Sequence, residues 1–362
     1  MIRSLSMYLL ALAALATLAS CRCVTCDDDD GGNGGQVAGE MPWTEAGLQL
    51  TSQINGVFAT DAELFVFSPT EFVRVTPDSP AVSIIEKRQF PQQLRTLGQV
   101  APHPLAFARA ASETTTARQV LEFQLVQNAA GIIRFNVDSL TPQPIALETQ
   151  GETVGAFDRE GRTYVQPVIR RDTRSLALLF FTLDYTTRFD AFTEVAFRGL
   201  VDVPGVLEDD AIVQSIQFID GFFYLATKRG GYRVTGGGIV TEVIPSDNFV
   251  KDFFEYDSDY YASVNGLAEV QRSFDGEEFE RSGFPQRLGY VQVFGDRIIS
   301  QEFAGWMYQT TESLSDTPDS LLLNQDFPVN NSLYFGLDRL DGTYYLGVDR
   351  VLYRAADIEA VE

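Results

Sequence analysis

Beyond residue 42 the apolar positions fall in short runs, alternating or continuous, each closed by Gly, Asp, Asn or Pro. That pattern belongs to strands rather than helices. Strand-like runs start at Ala62, Leu105, Arg162, Phe222, Asp259, Asp296 and Thr343, at intervals of 37 to 60 residues. Several are followed by a second element in which an aliphatic or aromatic residue precedes Arg or Gln: Val73-Arg74, Ile133-Arg134, Tyr232-Arg233, Tyr308-Gln309 and Tyr353-Arg354. Asn55-Gly56, Asp220-Gly221, Asn265-Gly266, Asp275-Gly276 and Asp341-Gly342 supply the positive φ that tight hairpin loops require.

Repeats of roughly 40–50 residues, each a few short antiparallel strands, are the sequence signature of propeller blades. Residues 43–362 are therefore predicted to form one all-β domain, a β-propeller of seven blades. Strand alternation and turn chemistry alone leave six blades or a pair of β-sandwiches as alternatives. From the start of the repeat to its Arg is 12 residues in the first repeat (62 to 74) and 11 in the fourth (222 to 233), but 29 in the second (105 to 134). The third looks lengthened too, across Arg170-Arg171-Asp172-Thr173-Arg174. Long hairpins on adjacent blades are where such rings build binding surfaces. The last repeat stops soon after Tyr353-Arg354-Ala355-Ala356, and strand-like Leu48-Gln49-Leu50-Thr51-Ser52 has no partner nearby, so the two ends are expected to pair and close the ring.

The leader carries Arg3 and an apolar run from Tyr8 to Ala16, too short to span a bilayer comfortably. Its end, Leu18-Ala19-Ser20-Cys21, resembles the lipobox of bacterial lipoprotein precursors. The resemblance implies that residues 1–20 are a cleaved signal peptide and that Cys21 receives a diacylglyceryl anchor. Asp27 to Asp30 and the following Gly31-Gly32-Asn33-Gly34-Gly35 are too polar to pack, making residues 21–42 an acidic, flexible tether. An acidic cluster behind the lipidated Cys resembles the surface-export signal of lipoproteins in the Bacteroidetes group, and Arg22 is compatible with outer-membrane sorting. The expected place is the outer membrane, exposed at the cell surface, with the periplasmic face as the alternative. Cys23 and Cys26 have no second pair, and His103 is the only histidine, so a local disulfide or two idle thiols fit better than zinc.

Charge then narrows the partners. With 27 basic and 50 acidic residues the net charge is −23, and only Lys87, Lys228 and Lys251 are lysines. Such a surface repels nucleic acid. Against that background Arg170, Arg171 and Arg174 form a local positive spot suited to a carboxylate or another anion. Asp257, Asp259, Tyr260 and Tyr261 could stack a sugar ring and accept its hydroxyls, although alternating aromatics are also what a strand packed between blades requires.

In Arg272-Ser273-Phe274-Asp275-Gly276-Glu277-Glu278-Phe279, Ser273 and Asp275 can hydrogen-bond turn amides, Gly276 can take the left-handed conformation, and Phe279 can pack into the blade. The segment resembles the Asp-box repeat of sialidases and related propellers, with Tyr308 to Glu312 and Tyr353 to Asp357 as eroded copies. In that family the box lies away from the active site, so the resemblance implies fold rather than catalysis. A sialidase-like carbohydrate-active enzyme would need an arginine cluster, a Tyr/Glu nucleophile pair and an acid, and no local spacing singles out such a set. His103, between two prolines, reads as a loop residue. The function expected is a non-catalytic binding propeller for an envelope protein or glycan, with no cofactor or metal and with the enzyme as the alternative.

Overall fold

The computed structural model describes most of residues 43–89 and 155–310, the strands within 106–136, and residues 147–148, 320–322 and 336–356. Cys21, the tether and Arg171 lie outside the described residues. No helix occurs among those described; the strands form seven antiparallel sheets, spanning 56–89, 106–136, 147–207, 213–244, 249–281, 290–322 and 337–355. Apart from two strands, those of each sheet follow chain order, each folding back on its predecessor; the exceptions are Leu147–Glu148, which pairs with Thr163–Arg170, and Thr44–Gln49, which joins the last sheet. The first strands of successive sheets meet: Val213–Ile219 packs on Phe249–Tyr256, and that strand on Tyr290–Phe294. Gly56–Ala59, from the first sheet, meets Leu337–Leu340 from the last. This is a β-propeller, not a pair of sandwiches.

Its core lies between sheets, which explains why the second strand of a sheet reads as a continuous apolar run rather than an alternating one. Leu64–Phe67, Phe222–Thr227 and Thr343–Val348 are buried on both faces. One apolar cluster joins Val165, Leu178 and Phe180 to Phe223, Leu225 and Val234 of the next sheet. Another joins Tyr224 and Ala226 to Val250, Phe253 and Ala262. Two of the predicted turns take positive φ at both residues: Asp220 and Gly221 at 44° and 86°, Asp341 and Gly342 at 49° and 80°. At Asp275-Gly276 only the glycine does, at 72°, and Gly56 instead opens the Gly56–Ala59 strand without a positive φ.

Closure occurs as expected, three to four residues earlier than the sequence pattern placed it. Thr44–Gln49, rather than 48–52, pairs antiparallel with Val351–Ala355, and Leu50 continues the contact by donating its N–H to Arg350 O at 2.8 Å. The second repeat departs from the sequence pattern. Leu105–Arg109 and Arg134 are not joined by one long loop, because a whole strand, Arg118–Leu125, lies between them. In the third repeat the strands themselves are long, at 8, 11 and 16 residues for Thr163–Arg170, Ser175–Tyr185 and Phe192–Leu207.

Candidate functional site

The long sheet ends in a tight turn in which Arg170 stands opposite Ser175. Arg170 does not reach into solvent for an anion: its guanidinium donates to Asp172 Oδ2 at 2.7 Å and to Asp202 Oδ2 at 2.9 Å. The pairing holds the Asp172 carboxyl below its ordinary range. Arg174 is exposed at the turn with φ of 51°, and Leu207, the register partner of Ser175, is 60% exposed. Exposed charged and apolar groups thus share the end of one long-stranded hairpin.

The Asp257–Tyr261 group does not converge on one point. Asp257 and Ser258 form the hairpin turn, with φ of 50° and 65°. Tyr260 and Tyr261 point to opposite faces, as strand geometry demands. Tyr260 packs beside Tyr224 of the preceding sheet and donates to Asp220 Oδ2 at 2.8 Å. Burial first, and the Asp220 carboxylate second, push its hydroxyl up to about 12. Tyr261 stacks on Phe254, with ring centroids 5.4 Å apart, in a cluster shared with Val291 and Ile298 of the following sheet. Asp259 is held by the Arg272 guanidinium.

The 273–279 segment is a tightly bonded turn. Asp275 Oδ1 accepts from Ser273 Oγ at 3.0 Å and from the N–H groups of Glu277 and Glu278 at 2.8 and 3.2 Å. Gly276 has φ of 72° and donates its N–H to Ser273 Oγ at 3.0 Å. Phe279 meets Phe253 edge-on. From the preceding sheet, Tyr224 donates its hydroxyl to Gly276 O at 3.2 Å, and Arg233 pairs with Glu277. The turn therefore fastens two sheets together. Phe274 is 76% exposed beneath the Arg272 guanidinium.

A further polar group, absent from the sequence reading, lies on the first strands. Asp252 is 1% exposed and accepts from Ser215 Oγ at 2.6 Å, Gln217 Nε2 at 3.4 Å, and the N–H groups of Phe253 and Val291 at 3.0 and 2.9 Å. Nearby, Tyr290 donates to Gln214 Oε1 at 3.4 Å, spanning from one neighbouring sheet to the other. Asp338 makes a similar contact to Ala59 N at 2.7 Å. The signal in the chain was an acid inside an apolar first strand, in Phe249-Val250-Lys251-Asp252 and Phe335-Gly336-Leu337-Asp338.

No protein-family model and no curated protein sequence matches the chain. Solved structures do. The Neurospora crassa Pan2 WD40 domain superposes with a TM-score of 0.50 at 10% identity, covering 88% of this chain and 98% of that domain. The AfRom2 CNH domain gives 0.51 at 9% identity, covering 86% and 98%. BamB from Moraxella catarrhalis gives 0.48 at 10% identity, covering 86% and 97%. At these identities the likeness to the first two concerns the fold alone, and that fold is the propeller.

Proposed function

We propose that this chain is a lipid-anchored, surface-displayed propeller of the bacterial outer membrane that binds an envelope protein or a glycan without catalysis. The observation that carries the reading is the long-stranded sheet of residues 147–207, whose last strand runs 16 residues and at whose 170–175 end Arg174 and Leu207 are exposed beside the ion-paired Arg170. Mixed apolar and charged tips on a rigid ring suit recognition of a partner surface. The arginines with ion-pair partners support binding over hydrolysis. Among the described residues Arg74, Arg170, Arg233 and Arg272 stand in four different sheets, each paired with neighbouring carboxylates, rather than gathered around one substrate carboxylate. Anchoring rests on Leu18-Ala19-Ser20-Cys21.

A screen of the soluble chain from residue 27 against glycans and envelope proteins tests the first part. A saturable partner lost on truncating the 170–175 hairpin supports it; turnover of a sialoside substrate would replace it with the hydrolase. Mass spectrometry of the membrane fraction tests the anchor: a diacylglyceryl-modified Cys21 is expected, absent in Cys21→Ala, and an unmodified N-terminus elsewhere would sink it.

A further inference from the structure

Asp252 and Asp338 hold the same place in two sheets. Each lies on a first strand and accepts the N–H of the following residue on one oxygen, Phe253 at 3.0 Å and Arg339 at 2.7 Å. The other oxygen accepts an N–H from the first strand of the next sheet, Val291 at 2.9 Å and Ala59 at 2.7 Å. Among the described residues, Asp252 alone of the two is also held from the preceding sheet, by Ser215 and Gln217. At the other site Gln292 Nε2 reaches Leu337 O instead, at 3.0 Å. One carboxyl group thus ties together the 213–244, 249–281 and 290–322 sheets.

We propose that Asp252 is a proton-operated latch of the ring: neutral, it holds these three sheets together more firmly than when ionised. Its four donors are all uncharged, no cation faces it among the described residues, and a carboxylate taken out of water in that setting is costly. Burial pushes its carboxyl up to about 6, against the pull of Ser215, Val291, Gln217 and Phe253. The neutral acid suits the same cage. Ser215 Oγ can turn from donor to acceptor and receive the new O–H, while the two backbone N–H bonds persist.

The facing groups do not supply a competing titration. Val213–Ile219 contains no ionisable residue; on Phe222–Thr227, which also packs on the Asp252 strand, the only one is Tyr224, whose hydroxyl burial pushes upward so that it stays neutral. On Tyr290–Phe294 the only one is Tyr290, pushed upward by burial and then by Asp252, so it stays neutral. Across the hairpin Asp252 stands opposite Ser263, while Asp259, Tyr260 and Tyr261 pair with Tyr256, Glu255 and Phe254 near the turn. On its own strand the charged neighbours are buried Lys251 and exposed Glu255.

A folded-state value above the unfolded one means that the fold binds the extra proton between the ordinary Asp value of about 4 and the shifted value. The latch's contribution to stability is therefore full below that window, falls as pH rises through it, and levels off above. Thermal melts of the full chain and of Asp252→Asn at about pH 5 and about pH 7.5 test this. The wild-type Tm relative to the variant should be higher at the acid end and drop toward neutrality; parallel pH profiles would overturn the latch. Should the variant fail to fold, a carbon-detected NMR titration of the unmodified chain decides. A midpoint near 6 supports the proposal, and one near the ordinary Asp value of about 4 rejects it.

Discussion

Thr44 lies directly opposite Arg354, 310 residues away in the chain, and its Oγ1 donates to the Arg354 carbonyl at 3.5 Å. The first described strand is thereby the outer strand of the last sheet. Behind this pairing Ala46, Leu48 and Leu50 are buried in a cluster shared with Val57, Leu64 and Val75 of the first sheet.

Deleting residues 43–53 should therefore open the ring. Burial of aliphatic side chains is worth roughly 1.5–3 kcal/mol each, so losing Leu48 and Leu50 alone costs on the order of 5 kcal/mol. Deleting 27–40, in the tether, should leave the melt unchanged. Circular-dichroism melts of the two truncations compare them directly, and equal Tm values would show that the terminal strand does not hold the ring.

Gly276 offers a sharper probe of the turn at 273–279. Its φ is 72°, and an added Cβ would sit 2.0 Å from Tyr224 Oη, the same hydroxyl that bonds its carbonyl. Gly276→Ala should cost about 1–3 kcal/mol in backbone strain and more through the displaced tyrosine. Tyr224→Phe in the same background should recover part of the loss, since it removes the clashing oxygen. A drop that Tyr224→Phe leaves untouched would mean the strain is backbone alone.

Much of this fold was visible in the chain because a strand buried on both faces has a local signature. Phe222–Thr227 and Thr343–Val348 announce themselves as apolar runs, and Asp-Gly pairs mark the hairpins before them. What stayed hidden depends on distant partners. Asp202, which neutralises Arg170, lies 32 residues on, and Ser215 lies 37 residues before Asp252. Tyr260 and Tyr261 looked like one aromatic cluster because adjacency in sequence conceals that neighbouring strand residues face opposite sheets. In the second repeat Ile133-Arg134 carries the aliphatic-Arg pattern of a later element, which conceals the Arg118–Leu125 strand before it.

The hairpin arginines can be separated by role. Arg170 is tied to Asp172 and Asp202 at the surface, so Arg170→Ser should change Tm little, within about 1 kcal/mol of stability. If the 170–175 tip docks a partner, Arg174→Ser should weaken binding more at low salt than at high salt, because screening removes the same attraction. Isothermal titration at two ionic strengths reads this. An affinity untouched at both would place the docking surface elsewhere.

Glu71 brings an opposite pH response to the closure seam. Its side chain is 0% exposed, accepts the N–H of Thr51 just after the closing strand, and pairs with Lys87 Nζ at 2.9 Å. Burial alone would push the carboxyl up; the Lys87 ammonium and the Thr51 N–H outweigh it and hold the value below the usual glutamate range. A lowered folded value means the contribution is fully present above the unfolded value of about 4.3 and is lost as pH falls through the lower one. Lys87→Met keeps the stem and removes the charge. Removing one partner of a fully buried pair costs 3–5 kcal/mol, but Lys87 is partly in water, so roughly 1–2 kcal/mol at about pH 7 is expected. At roughly 2–4 °C per kcal/mol, this is a Tm loss of several degrees. The gap between wild type and variant should close in acid, where Glu71 is neutral in both. A gap that stays constant down to about pH 3 would show that Lys87 stabilises the seam through its stem and not through Glu71.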